Sequence, residues 1–243
     1  MSTAASVRSV GAGNGSVKIL AMPRFILSFV VAFLLIPAWV NPPVTAAEDE
    51  AGFVSLFDGK TLDGWTPQDQ ATASAFKVED GAIVCNGPFT HLFYSGKVND
   101  ASFKNFELRV DFKMSPSSNS GVFFHTENPG GKNKVAKGYE CQICGDSYAK
   151  DPKKTGSLYD VEDVKQSAAK EDEWSTYVIR VEGKHIVLKV NGRTTVDYTE
   201  PDPPNRKKGR EGRVVSKGTF ALQAHDPVSK VAFRNIRVKV LPD

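Results

Sequence analysis

Most of the chain falls into short runs in which apolar and polar residues alternate, broken by turn residues, and few stretches carry the 3.6-residue period of a helix. FELRVDFKM alternates over Phe106, Leu108, Val110 and Phe112, which predicts a strand with one face in a core. FKVEDGAIVC predicts a hairpin turning at Asp80-Gly81. STYVIRVEGKHIVLKVNGRTTVDY predicts consecutive antiparallel strands turning at Glu182-Gly183 and Asn191-Gly192. Asn-Gly is a strong hairpin signal because both residues tolerate positive φ. SGVFFHT, GYECQI, GTFALQAH and VAFRNIRVKV complete the set. Many strands without interleaved helices predict an all-β domain, a two-sheet antiparallel sandwich or jelly roll.

Two segments break the pattern. CGDSYAKDPKKTGSLYDVEDVKQSAAKEDEW is a long polar connection with one helical turn expected near residues 164–169. EPDPPNRKKGREGRVVSKG carries Arg206, Lys207, Lys208, Arg210 and Arg213, which read as a solvated basic loop, contact with an acidic glycan being the alternative. Loops of this length in a compact domain are usually functional or mobile.

At the N-terminus Arg24 precedes an apolar run from Phe25 to Val40, the pattern of a secretory signal and too short for a spanning helix. Small residues at Val44 and Ala46 set cleavage before Ala47, so residues 1–46 are expected to be a signal peptide and 47–243 a single exported domain, periplasmic or extracellular. Met22 would serve equally well as the start. Removing the leader takes away Arg8, Lys18, Arg24 and no acid, which brings the net charge of +3 to zero. Nothing in that balance points to nucleic acid or to a membrane surface, and no stable span is expected after processing.

The three cysteines leave at least one unpaired. Cys141 and Cys144 have C-x-x-C spacing, but residues three apart in an extended strand lie roughly 10 Å apart, beyond the reach of about 7 Å for a disulfide. Without a second such pair a zinc knuckle is not expected either. Cys141 reads as a core residue, and pairing of Cys85 with Cys141 or Cys144 stays open.

Strand alternation assigns faces. Gly121, Phe123 and His125 share one face of SGVFFHT, Glu140 and Gln142 project together from GYECQIC, and Ala221, Gln223 and His225 project together from FALQAHDP. If these faces line one sheet surface they form a polar floor. Its imidazoles and carboxylate suit general acid–base work or a divalent cation held by Glu140, His125 and His225; the bland reading is a solvent-facing sheet. A second strand carboxylate, as ordinary glycosidases need, is not evident. Trp65, Trp174, Tyr94, Tyr139 and Tyr159 are candidates for stacking on sugar rings.

LFDGKTLDGW, NFELRVDFKMSPSSNSGVFFHT, GYECQI, KTGSLYD, DEWSTYVIRVEGKHIVLKVNG, GTFALQAHDP and FRNIRVKVL occur in this order. Together they resemble the 3-keto-disaccharide hydrolase family over nearly all of residues 53–241. The resemblance implies a concanavalin A-like jelly roll and a carbohydrate substrate already oxidised at C3 by a partner sugar oxidoreductase. It also implies cleavage by removal of the C2 proton and elimination, or by formal hydrolysis. On that chemistry Glu140 and His225 become the acid–base or metal-ligand candidates, with His125 the third, and Gln142, Gln223, Asn119 and Ser120 hydrogen-bond the sugar. Asp226 enters beside His225 in the family's LQ-H segment, and Tyr159 is the aromatic candidate in KTGSLYD. CGDSY departs from the family's loop start, so Asp146 receives no role. The rivals are a non-catalytic, lectin-like carbohydrate-binding module and a structural sandwich of the cell envelope.

Overall fold

The computed structural model describes residues 50–131, 134 and 136–243; the expected signal segment lies outside them. In chain order the strands are β1 (Val54–Ser55), β2 (Trp65–Pro67), β3 (Phe76–Glu79), β4 (Ala82–Cys85), β5 (Thr90–Tyr94), β6 (Phe106–Met114), β7 (Asn119–Thr126), β8 (Tyr139–Cys144), β9 (Ser175–Glu182), β10 (His185–Val190), β11 (Arg193–Thr199), β12 (Thr219–Ala224) and β13 (Val231–Val240). They form an eight-stranded sheet ordered β11-β10-β9-β6-β13-β4-β3, with β1 also on β13, and a five-stranded sheet ordered β2-β5-β12-β7-β8. All the strand pairings are antiparallel.

The large sheet follows the expected period. On β6 Phe106, Leu108, Val110, Phe112 and Met114 are fully buried, while the residues between them are part-exposed. On β13 the period slips: Val231 and Phe233 point inward, then Ile236 and Val238 do. Asn235 at φ 49° marks the slip, and the register with β6 shifts between Arg234 and Arg237. Such a bulge exchanges the faces of every residue after it; without it Arg237 would enter the core.

The small sheet is different, because every residue of β5, β7, β8 and β12 is buried. One face, with Leu92, Val122, Phe124, Tyr139, Cys141, Ile143, Phe220 and Leu222, belongs to the main core. The other is roofed by the long connections after β8 and β11, and there the site forms. The expected helical turn near residues 164–169 is absent; that segment is irregular and bent, with Val164 and Ala168 bonded to the backbone of Lys154 and Thr155. Hairpin turns fall at Asp80-Gly81 and Asn191-Gly192 as expected, while the middle one sits one residue later, at Gly183-Lys184. Cys85, Cys141 and Cys144 are buried, unpaired thiols; the strand stays extended through Cys144, which keeps the C-x-x-C sulfurs from bridging.

Candidate active site

A pocket of about 190 Å³ lies on the roofed face of the small sheet. Its floor carries Asn119 and Phe123 from β7, Glu140 and Gln142 from β8, and Gln223 from β12, with His225 just beyond that strand. Phe89, Asp151, Tyr159, Arg210 and Arg213 close it from the connections.

Glu140 is buried, and its Oε2 accepts a hydrogen bond from Nη2 of Arg213 at 3.0 Å. Burial pushes the Glu140 carboxyl above its usual range, against the pull of the Arg213 guanidinium. The carboxylate fits because Gly121 sits beside it: a Cβ there would stand 2.9 Å from Cγ and Oε1 of Glu140. Arg213 also lies over the Tyr159 ring, at 5.0 Å, and Tyr159 donates its hydroxyl to Asp151. The basic connection after β11 is therefore not the solvated loop its composition suggests. Arg206 is tied to Glu200 and to the hydroxyls of Tyr139 and Tyr198, Val215 N donates to Glu200, and Lys207 and Arg210 both bond Asp160.

His225 Nδ1 lies 2.8 Å from Oδ2 of Asp226. Burial works to raise the Asp226 carboxyl, but hydrogen bonds from His225 and Ser229 hold it down, to about 2. A carboxylate only accepts, so Nδ1 carries a proton, and in the neutral ring the lone pair is on Nε2. Asp226 does not line the pocket; it orients the ring that does.

A second imidazole stands beside the floor, on β5 opposite Gln223. His91 Nδ1 is 2.8 Å from Oε1 of Gln68, and Gln68 Nε2 donates to the carbonyls of Gly131 and Lys134. Those carbonyls fix the amide, so His91 donates from Nδ1 and its bare Nε2 faces Gln223 Nε2 at 3.4 Å. Burial, aided by His225, pushes His91 down to about 4, so it stays neutral.

The model of the 3-keto-alpha-glucoside-1,2-lyase-like domain matches residues 52–239. The chain belongs to this family. A 3-keto-disaccharide hydrolase of Bacteroides thetaiotaomicron is 28% identical over 233 residues, covering 79% of this chain and 80% of that protein. Two solved structures from Parabacteroides distasonis, described as candidate glycosyl hydrolases, share the fold: one with TM-score 0.66 and 23% identity over 82% of this chain and 98% of its own, the other with TM-score 0.60 and 22% identity over 78% and 99%. Membership of the 3-keto-glucoside lyase-like family makes the chain a carbohydrate-cleaving enzyme.

Of the residues singled out in this lyase-like domain by strand alternation and motif, Glu140, Gln142, Gln223, His225, Asn119 and Tyr159 meet in the pocket. His125 does not. Its φ of 51° breaks the alternation of β7, turning the ring onto Phe106 and Phe124, where Nε2 donates to Lys104 O and Nδ1 accepts from Ser216 N. Ser120 faces inward and donates to the Gln223 carbonyl at 2.6 Å. Among the aromatics, Tyr159 alone of the five candidates lines the pocket; Trp65 is buried in the core, donating to Leu56 O, and Trp174 lies under Arg234. The proposed cation ligands do not fit a metal: His125 has both nitrogens engaged elsewhere, Glu140 already faces a guanidinium, and no group of three or more His, Cys, Asp or Glu converges among the described residues. Arg213 and His91 escaped sequence reading, the first inside a charge run and the second on a strand that alternation does not reveal.

Proposed function

We propose that this enzyme cleaves 3-keto-glycosides, 3-keto-disaccharides among them, by C2 proton abstraction and elimination. The observation that carries the reading is the His225–Asp226 pair, whose free Nε2 shares a pocket with the buried carboxyl of Glu140. A ketone at C3 acidifies the C2 hydrogen. Nε2 of His225 takes that proton, and the C–H electrons form the C2–C3 enediolate. The C1–O bond then breaks, the departing oxygen takes a proton from Glu140, and water adds to the resulting enone at C1 to give the free 3-keto-sugar. General acid–base groups of this kind contribute about 10²- to 10⁴-fold each. Neither step needs a second carboxylate as nucleophile, in keeping with a strand floor that offers Glu140 alone. A lectin-like module would have no use for the oriented imidazole.

The ketone must be installed first, so a sugar oxidoreductase acts upstream. Residues 47–243 work as an exported domain once the leader is cut before Ala47, which N-terminal sequencing of the protein recovered from the cell envelope or medium tests. Among the described residues no helix is long and apolar enough to cross a membrane. The decisive assay uses a 3-keto-disaccharide deuterated at C2. Elimination predicts product that has exchanged its label with water, and product retaining full label sinks the mechanism. Glu140→Gln should lose most of the turnover.

A further inference from the structure

Three buried polar atoms around this pocket have no partner among the described residues: Nη1 of Arg213, Oε1 of Gln142 and Oε1 of Gln223. The three side chains belong to residues no more than 5% exposed, and all three line the pocket. Orphaned buried groups are costly and rare, so three around one pocket point to a ligand that completes them. An arginine only donates and an amide oxygen only accepts. The missing ligand must therefore offer one acceptor and two donors.

The sense of each amide is fixed by its surroundings. Gln142 Nε2 faces two acceptors, Asn119 Oδ1 at 3.4 Å and the Lys153 carbonyl at 3.5 Å, which leaves its oxygen free. Gln223 Nε2 faces the bare Nε2 of His91, set by Gln68 and by the carbonyls of Gly131 and Lys134. The placement also suits a ring. Gln142 pairs with Gly121 across β7–β8, and Leu222 pairs with Val122, so Gln223 comes beside Gly121 from the other side. With neighbouring strands about 4.8 Å apart, the two glutamine backbones stand roughly 10 Å apart, with a residue lacking a side chain between them.

We propose that Arg213, Gln142 and Gln223 form a frame that recognises a carbonyl flanked on both sides by hydroxyl-bearing carbons, with Arg213 Nη1 donating to the carbonyl oxygen and each glutamine accepting from one hydroxyl. Resting on the function proposed above, the frame names the part of the substrate that is read: in a 3-keto-pyranoside the C3 carbonyl stands between the C2 and C4 hydroxyls. It also gives Arg213 a catalytic role, since the charge that develops on the C3 oxygen when C2 loses its proton meets a guanidinium already in place. A carboxylate would satisfy Arg213, but its carbon bears only one carbon neighbour, so it cannot sit between two hydroxyl-bearing carbons. Gln68 and His91 are positioning residues that keep the Gln223 oxygen turned into the pocket.

The test crosses two substrate analogues with two variants. Wild-type enzyme, Gln142→Met and Gln223→Met are each assayed on a 3-keto-glucoside, its 2-deoxy analogue and its 4-deoxy analogue, with thermal melts to confirm that all three proteins are folded. For wild type each deoxygenation should lower kcat/KM about 10- to 100-fold, because it strands a buried acceptor. Each glutamine variant should become indifferent to one deoxygenation and stay sensitive to the other. His91→Phe should mimic Gln223→Met, and His91→Gln, which restores an acceptor, should recover part of the discrimination. If folded variants keep the full wild-type penalty for both analogues, the frame is wrong while the proposed reaction stands. If wild type turns over no 3-keto-glycoside, the reaction fails and the frame falls with it.

Discussion

Nη2 of Arg213 lies 3.0 Å from Oε2 of Glu140, joining a loop between β11 and β12 to the outermost strand β8 of the small sheet through two side chains that water scarcely reaches. Breaking a buried pair by removing one partner leaves the other uncompensated, at a cost of about 3–5 kcal/mol. Arg213→Met should lose stability of that order in urea unfolding at a pH where Glu140 is ionised, and less at lower pH, where the buried carboxyl takes up a proton instead. The double variant Arg213→Met with Glu140→Gln should regain much of it, since no buried charge is stranded. A double variant no more stable than the worse single one would refute the coupling.

The same pair makes a prediction about pH. Burial raises the Glu140 carboxyl and Arg213 opposes that shift, so removing Arg213 should raise it further. In the proposed elimination Glu140 works in its protonated form, so the alkaline limb of kcat in Arg213→Met should move to higher pH, and a move to lower pH would reverse the assigned role.

Gly121→Ala should damage catalysis more than folding. Its Cβ would come 2.9 Å from Glu140, so the carboxyl must move aside. Misplacement of a reacting group by about 1 Å can cost 10²-fold. Steady-state kinetics should show kcat lower by one to two orders of magnitude, with a melting temperature close to wild type.

Asp226→Asn should leave substrate binding nearly intact and cut kcat by about 10²- to 10⁴-fold. An amide in place of the carboxylate can turn a donor toward His225 Nδ1, which drives the proton to Nε2 and removes the base. Unchanged kcat would dismiss the pair from the mechanism.

His91 should make stability pH-dependent. Its folded value of about 4 lies below the ordinary imidazole value of 6.5, so the unfolded chain binds the extra proton more readily. The stabilisation is complete above pH 6.5 and fades as pH falls toward 4, by an amount on the order of 3 kcal/mol. Unfolding free energies at pH 7 and pH 4.5 should therefore converge in His91→Asn relative to wild type; an identical pH slope in both proteins would contradict the assignment.

The large sheet was legible because it is wet on one face: β6 alternates, and alternation is what a half-buried strand writes into sequence. β5 was not, since all five of its residues are buried and THLFY shows no period, so His91 passed unseen. On the floor, counting by twos placed Glu140, Gln142, Gln223 and His225 correctly, and failed at His125, where one residue of positive φ reversed the face. Arg213 lay beyond such counting altogether. A charge run reads the same whether its members meet water or, as here, reach 73 residues back to a buried carboxylate.

The clamp of Arg206 on Glu200 and Tyr139 divides the labour of the protein. Acid, imidazole and glutamines are set in hydrogen-bonded sheet or directly at its end, where a substitution disturbs many neighbours, whereas Arg210 walls the pocket from a connection outside the strands, through its bond to Asp160. Substitutions around Arg210 that leave Arg206 and Arg213 in place are thus where an evolving lineage, or an engineer, would seek new leaving groups without disturbing the proposed chemistry.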